Sequence, residues 1–401
     1  MNQIETRKVY LDHAAATPVD PEVAALLLQH TSETYGNASS MYEIGRKAHD
    51  TLAAARQSVA ASLAVEPSEI IFTGSGTESD NLAILGAARA RKDRGKHIVV
   101  TAIEHKAVLA AAKVLERDGF AVTYVPVESS GIASVGDVLA AVRPDTTLVS
   151  VMYANNEIGT IQPIAEIAQA LRQINEAKRP LFHTDACQTA GQLEVLPREL
   201  GVDLLTLNGA KIYGPKGLGM LYVRRGVRLE PLIVGGGQEG GLRAGTENAA
   251  LIAGFAKALE LAVVRRAAEA ARLTDLRNHF WHQLHTVLPD IVMNGDPDVR
   301  LPNNLHITVP TLEGESLVLE LDHYGIAAAT GSACSAHDLT PSHVLQAIGI
   351  PDGLIHGSLR FTLGRETTKD DLEYTVQCLK KSVDRLRQLT AATTSHIEFA
   401  V

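Results

Sequence analysis

The sequence predicts an α/β protein: a large domain built on a mostly parallel seven-stranded sheet sandwiched by helices, followed by a smaller α+β domain. Three observations carry this. Over the first 260 residues, short β-rich runs alternate with Ala/Leu-rich helical stretches, the pattern of repeated βα crossovers. Beyond residue 260 the alternation stops, and two β-rich runs are scattered among long helical stretches. The chain has 401 residues, and a single core rarely grows past about 250–300. The expected division is 14–260 for the large domain, 1–13 with 261–390 for the small one, and a peripheral tail at 391–401.

The elements follow in order. TLAAARQSVAASLAV (50–64) has the apolar spacing of a helix. EIIFTGSG (69–76) is a strand running into a glycine turn, with a helix from Thr77. KHIVVTA (96–102) is a strand and KAVLAAAKVLERDG (106–119) a helix. FAVTYVPV (120–127), TTLVSVMYAN (146–155), PLFHTDA (180–186), DLLTLNG (203–209) and GMLYVRR (219–225) complete seven strands. A glycine cluster, GGGQEGGLRAGTEN (235–248), precedes a long helical segment near 249–288. LHITVP (305–310), a helix near 313–323, SLRFTLG (358–364) and a helix near 369–389 make up the second group.

Composition narrows the function. Hydrophobic residues are 45% and charged residues 21%, ordinary for a soluble globular chain. Thirty-seven basic against forty-six acidic residues give a formal charge of −9, which argues against broad binding to a nucleic-acid backbone. The N-terminal MNQIETRKVYLD lacks the apolar stretch of a signal peptide, and no long uncharged segment of membrane-spanning length occurs. Three cysteines, Cys187, Cys334 and Cys378, fit a reducing compartment and a cytoplasmic location.

Four features carry chemistry. Lys211, in LLTLNGAKIYGPKG, follows a buried-type strand. Lysine is costly to bury, and a desolvated lysine amine forms Schiff bases; the alternative is a surface lysine in a turn. Asp185 closes the apolar strand of FHTDACQTAG, where a carboxylate can pair with a ring nitrogen of a cofactor or simply cap a helix. Gln188 lies three residues on. In TGSGTESDN (73–81), Gly76 and Thr77 open a helix, which suits a phosphate but also a plain capped helix. Cys334, in GSACSAHDLTPSHVL, sits among small polar residues, unlike a structural cysteine, which packs among apolar ones. In an α/β sheet, ligands sit beyond the C-terminal strand ends, where Thr77, His105, Asn156, Asp185 and Lys211 fall.

The succession GNASS, TGSGTESDNLAI, EHKAVL, ANNEIGTIQPI, FHTDACQTAG, AKIYGPKG, GGGQEGGLRAGTEN, GSACS and PSHVLQAIG resembles, in order, the group I cysteine desulfurases of the NifS/IscS type. These are fold type I pyridoxal-phosphate enzymes within the class-V aminotransferase family. The resemblance runs from VYLDHAAATP (9–18) to SLRFTLGRETT (358–368). It implies pyridoxal 5′-phosphate as cofactor, L-cysteine as substrate, and L-alanine and a protein persulfide as products. By motif, Lys211 resembles the Schiff-base lysine, Asp185 the partner of the ring nitrogen, and Gln188 the donor to the ring hydroxyl. His105 resembles the histidine stacked on the ring, which assists proton transfer. Gly76, Thr77 and Asn208 resemble phosphate contacts, and Thr246 the phosphate contact contributed by the other subunit. Asn156 and Arg360 resemble the grip on the substrate carboxylate, which an arginine fork fits in two-pronged fashion. Cys334 resembles the sulfur-accepting cysteine, with no intrinsic metal site but a transient role as an iron–sulfur ligand.

The implied partners are a second copy of the chain, in a homodimer, and an iron–sulfur scaffold or another sulfur acceptor, with no direct nucleic acid and no membrane. Departures from the family pattern are Asn208 and Ala210, where serine and histidine usually precede the lysine, along with Ala38, Tyr42 and His13. Three other readings stand beside the main one: a selenocysteine lyase or group II-type desulfurase, a fold type I aminotransferase or lyase, and a weakly active sulfur-trafficking binding protein. The length from Cys334 to PSHVL favours group I.

Overall fold

The computed structural model describes residues 7–176, 178–331 and 341–398, with side chains described as far as residue 389. Twelve strands occur among them. They are β1 (Val9–Tyr10), β2 (Ile70–Thr73), β3 (His97–Thr101), β4 (Ala121–Val125), β5 (Thr146–Ser150) and β6 (Leu181–Asp185), then β7 (Leu204–Asn208), β8 (Gly219–Val223), β9 (Val292–Met293), β10 (Asn304–Thr308), β11 (Ile326–Ala327) and β12 (Ser358–Thr362).

The expected seven-stranded sheet is present, in the order β2-β8-β7-β6-β5-β3-β4. The pairs β3–β4, β3–β5, β5–β6 and β6–β7 are parallel, and β8 runs antiparallel to both β7 and β2. The central strands are β-branched or leucine-rich and are buried on both faces, as a helix-covered parallel sheet requires. One face carries Val99, Val149, Phe182 and Leu205; the other carries Ile98, Val100, Leu148, Leu181 and Leu204. Each such side chain stabilises the fold by about 1.5–3 kcal/mol on burial.

The strand alternation therefore sets which way the last residue of each strand points. Register aligns His183 with Leu204 and Asp185 with Thr206, so the C-terminal ends of β6 and β7 present Asp185 and Asn208 side by side.

A second core holds Leu305, Ile307, Leu359 and Phe361 of the antiparallel β12-β10-β9 sheet, together with Val9 and Leu11. β1 joins this part of the molecule by pairing in parallel with β11. The helix Ala249–Val287 serves both cores. Its first half buries Ile252, Phe255 and Leu259 against the large sheet, and its second half buries Leu273, Phe280 and Leu284 in the small core. Thirty-nine residues span about 58 Å at helical rise.

Two helical assignments need amendment. The helix Pro21–Glu33 was not anticipated, although Asp20 and Pro21 mark its start: Asp20 caps the amide of Glu22. The C-terminal helix is Lys369–Glu398, so residues expected to be a peripheral tail continue it. Ala391 and Ala392 are strong helix formers and nothing in the stretch breaks the turn.

Candidate active site

A cavity of about 330 Å³ opens at the C-terminal ends of the parallel strands. Nine of the residues expected from sequence line it: Gly76, Thr77, His105, Asn156, Asp185, Gln188, Asn208, Lys211 and Arg360. Its size falls within the range of small-molecule sites.

Lys211 sits on the 3-10 turn Gly209–Lys211 directly after β7. Its Nζ donates to the carbonyl oxygen of Ala14, at 2.7 Å, and to that of Ala15. Both of these acceptors are neutral carbonyls of the N-terminal segment. Asn208 shapes the turn, because its Oδ1 accepts the amide N–H of Ala210 at 3.0 Å.

Gly76 opens the helix that follows β2, with Ser75 capping the amide of Glu78. A Cβ at Gly76 would lie 2.8 Å from Cys187 Sγ and 3.3 Å from Asn208 Nδ2. The missing side chain lets the first helical turn press against the end of β7, placing the Asn208 amide group beside a helix N-terminus.

Asp185 is buried at the cavity floor, and its Oδ1 accepts the amide N–H of Cys187 at 2.9 Å. This carboxylate therefore both shapes the local turn and faces the cavity. Beside it lie Asp80 and His105: a carboxylate oxygen of each aspartate and a ring nitrogen of His105 all fall within 4.8 Å of one another. His105 is also the cap of the helix Lys106–Arg117, with Nδ1 accepting the Ala107 amide at 3.2 Å. His105 is thus both a helix cap and part of the cavity wall.

Three buried titratable groups surround Asp185. Burial pushes the Asp80 carboxyl well above its usual range, and Asp185 and Glu104 add to the shift. Burial likewise raises Glu104 to about 8, against opposing hydrogen bonds from the Thr101 hydroxyl and the Met152 amide. Asp80 Oδ1 and Glu104 Oε2 are buried without a hydrogen-bond partner. His183 is lowered to about 4 by burial, so its ring is neutral, held between Ser150 Oγ at 2.9 Å and Thr206 Oγ1 at 3.1 Å. The Cys187 thiol is pushed well up by burial and by Asp185 and Asp80, which suits a packed wall residue rather than a nucleophile.

On the far side of the cavity the Arg360 guanidinium is almost fully buried. Nη1 donates to the carbonyls of Asn156 (3.0 Å) and Gly331 (2.7 Å), and Nη2 pairs with Asp12 Oδ1 at 2.7 Å. Gln188 Nε2 donates to the Ala14 carbonyl at 3.0 Å.

Two expected residues stand apart. Thr246 does not line this cavity. Cys334 lies outside the described residues. The chain on either side of it does reach the site: Gly331 is bonded to Arg360, and His343 lines the cavity with Nε2 3.0 Å from the Glu104 carbonyl.

Sequence reasoning missed Asp80, Glu104 and Asp12. Asp80 was findable: it lies four residues after Gly76, hence on the same helix face. Asp12 carries no periodic signal and becomes visible only through its ion pair.

The sequence model of the aminotransferase class-V family matches residues 9–375. The chain belongs to the class-V aminotransferase family. Within it, the chain stands with the cysteine desulfurases, and the family depends on pyridoxal 5′-phosphate. It is 46% identical over 384 residues to the cysteine desulfurase IscS of Dictyoglomus turgidum, covering 96% of both chains. A solved NifS-like protein superposes with a TM-score of 0.88 at 36% identity, over 94% of this chain and 100% of that one. SspA, solved in complex with cysteine, gives 0.77 at 35% identity, over 89% and 99%.

The residues present fit that cofactor. A phosphate requires a cradle of donors, met by the helix start at Gly76 and Thr77 and by Asn208. A ring cation requires a buried carboxylate, met at the cavity floor. An aldehyde requires an amine, met by Lys211. The partnerless buried oxygen of Asp80 marks the same cavity as built for a polar occupant.

Proposed function

We propose that this chain is a cysteine desulfurase that takes sulfur from L-cysteine, leaves L-alanine, and carries the sulfur as a persulfide on Cys334. The observation that supports this most is the convergence of Lys211, Asp185, His105, Asn208 and Arg360 on one cavity, which Gly331 and His343, on either side of Cys334 in sequence, also reach. Lys211 Nζ would hold pyridoxal 5′-phosphate covalently, Asp185 and Gln188 would hold its ring, and Gly76, Thr77 and Asn208 its phosphate. When bound, the cofactor supplies an electron sink for the substrate α-carbon.

The chain's own residues do the rest. Arg360 and Asn156 orient the substrate carboxylate, which takes over from Asp12 at the guanidinium. Lys211 Nζ, steadied by the Ala14 and Ala15 carbonyls, takes the α-proton and later returns a proton. The His105 ring, fixed by its capping bond, assists that transfer. The Cys334 thiolate attacks the substrate sulfur. An S–S bond forms, the C–S bond breaks with its electron pair left on carbon, and that carbon is protonated to the methyl group of alanine. The persulfide then passes to an acceptor protein, such as an iron–sulfur scaffold. During that transfer Cys334 can serve as a transient ligand to the cluster.

Thr246 would complete the phosphate cradle of a second copy in a homodimer, consistent with its place outside the cavity of its own chain. We assign the protein to the cytoplasm; among the described residues no helix is long and apolar enough to cross a membrane.

The test is an assay of purified protein with L-cysteine, a thiol reductant and added pyridoxal phosphate, following alanine and sulfide together. Equal yields from wild type, lost in both K211A and C334A, are expected. Alanine formation that persists in C334A would overturn the persulfide route.

A further inference from the structure

The opposite end of the large sheet holds a second recess, of about 370 Å³, where β2, β6 and β7 begin and β8 ends. Its walls are cationic: Arg172, Arg179, Arg198 and Arg224 line it, with Tyr222 at the floor. Two carboxylates share the recess, and both are heavily engaged. Asp203 accepts the Phe182 amide at 2.9 Å and pairs with Arg224 at 2.6 Å and Arg179 at 3.4 Å. Glu69 accepts the Arg225 amide at 2.8 Å and pairs with Arg198 at 3.1 Å. Four guanidinium groups thus face two carboxylates, which leaves two positive charges uncompensated.

Two groups point to what would balance them. Among the described residues Arg172 makes no ion pair. Its guanidinium is laid along the wall across Gly201, where a Cβ would lie 2.5 Å from Nη2, and Gly201 has a φ of +74°. Tyr222 is fully buried, and its hydroxyl has no hydrogen-bond partner. A buried O–H without an acceptor is rare in native folds and marks a missing ligand or water. Burial and Glu69 push the phenol up to about 12, so it remains a donor at any physiological pH. Arg91 is also close by: burial and then Arg94 lower it to about 10, with Asp203 opposing and Arg179 and Arg224 adding to the shift.

We propose that this recess binds a phosphate-bearing small molecule, with Arg172 and the Tyr222 hydroxyl as contacts reserved for it. A phosphate carries the two charges the arginines leave open, and its tetrahedral oxygens accept guanidinium forks and a hydroxyl at once. A single carboxylate would leave one cation unmatched. The site is separate from the cofactor cavity, because it lies at the other end of the same strands.

Calorimetric titration of the cofactor-loaded protein tests this, with the phosphate cradle of the main cavity already filled. The probes are pyrophosphate and ADP. One site per chain is expected, weakened about fivefold or more in R172A and about threefold or more in Y222F, and unchanged in K369A, an exposed change at the start of the C-terminal helix. R172Q stands in should R172A fold poorly, and Y222F, which keeps the ring that fills the buried site, tests the hydroxyl alone. Tighter binding of ADP than pyrophosphate would extend the site to nucleotides, and equal binding would confine it to the phosphate group. Equal affinity across all variants, or no heat of binding up to about 10 mM, would overturn the proposal.

Discussion

Asp185 and Asp203 are both buried aspartates of neighbouring strands, yet they lie at opposite ends of the sheet and in opposite company. Asp203 stands just before β7 and is enclosed by an amide and two arginines. Asp185 ends β6, takes a local amide bond, and faces a cavity shared with Asp80, one of whose carboxyl oxygens is buried without a hydrogen bond. The first arrangement holds the chain together. The second leaves donors and acceptors waiting for an occupant, which a fold tolerates only where something binds.

The sharpest way to break this comparison is to neutralise each aspartate. D203A removes the buried partner of Arg179 and of the more exposed Arg224, leaves the buried Phe182 amide without its acceptor, and should cost about 1–3 kcal/mol in urea unfolding. D185N should unfold near wild type, yet lose activity by about a hundredfold or more together with its cofactor absorbance. A D185N protein as unstable as D203A would erase the distinction.

Glu104 sharpens it further. Its folded pKa of about 8 stands above the unfolded value of 4.5. Its contribution is therefore fully favourable below about pH 4.5 and is lost as pH rises through 8. The loss is of order 5 kcal/mol at most. E104Q should flatten this fall, visible as a stability difference between variant and wild type that grows across pH 4.5–8 in denaturant unfolding. A difference that stays constant with pH would mean that Glu104 is charged throughout.

The smallest effect concerns the helix start. G76A places a Cβ 2.8 Å from Cys187 Sγ and should weaken cofactor binding about tenfold by fluorescence titration. C187A added to it should recover most of that loss, because the two positions share one space. Independent, additive effects would show that the contact does not shape the cradle.

Much of this was legible beforehand. Six of the seven strands carry the buried β-rich pattern of a covered sheet, Asp185 and Asn208 are placed by simply ending a strand, and Lys211 by the turn that follows one. His105 is instructive: its cap geometry follows from its place before a helix, while its cavity position follows from where β3 ends. Asp80 and Glu104 were passed over because acidic residues in a helix start or a loop are usually solvated, and only burial from elements distant in sequence makes them unusual. Asp12 reaches Arg360 across 348 residues. No spacing rule connects them.

Local chemistry in the sequence determined the strand faces, the helix starts, the turn at Asn208 and the reactive types at the strand ends, because each depends on neighbours a few residues away. Tertiary structure alone decided which carboxyls lose water, which arginines find partners, and that the Lys211 amine rests on the carbonyls of Ala14 and Ala15. Desolvation and charge pairing are set by whatever the fold brings within a few ångströms, and chain order does not encode that distance.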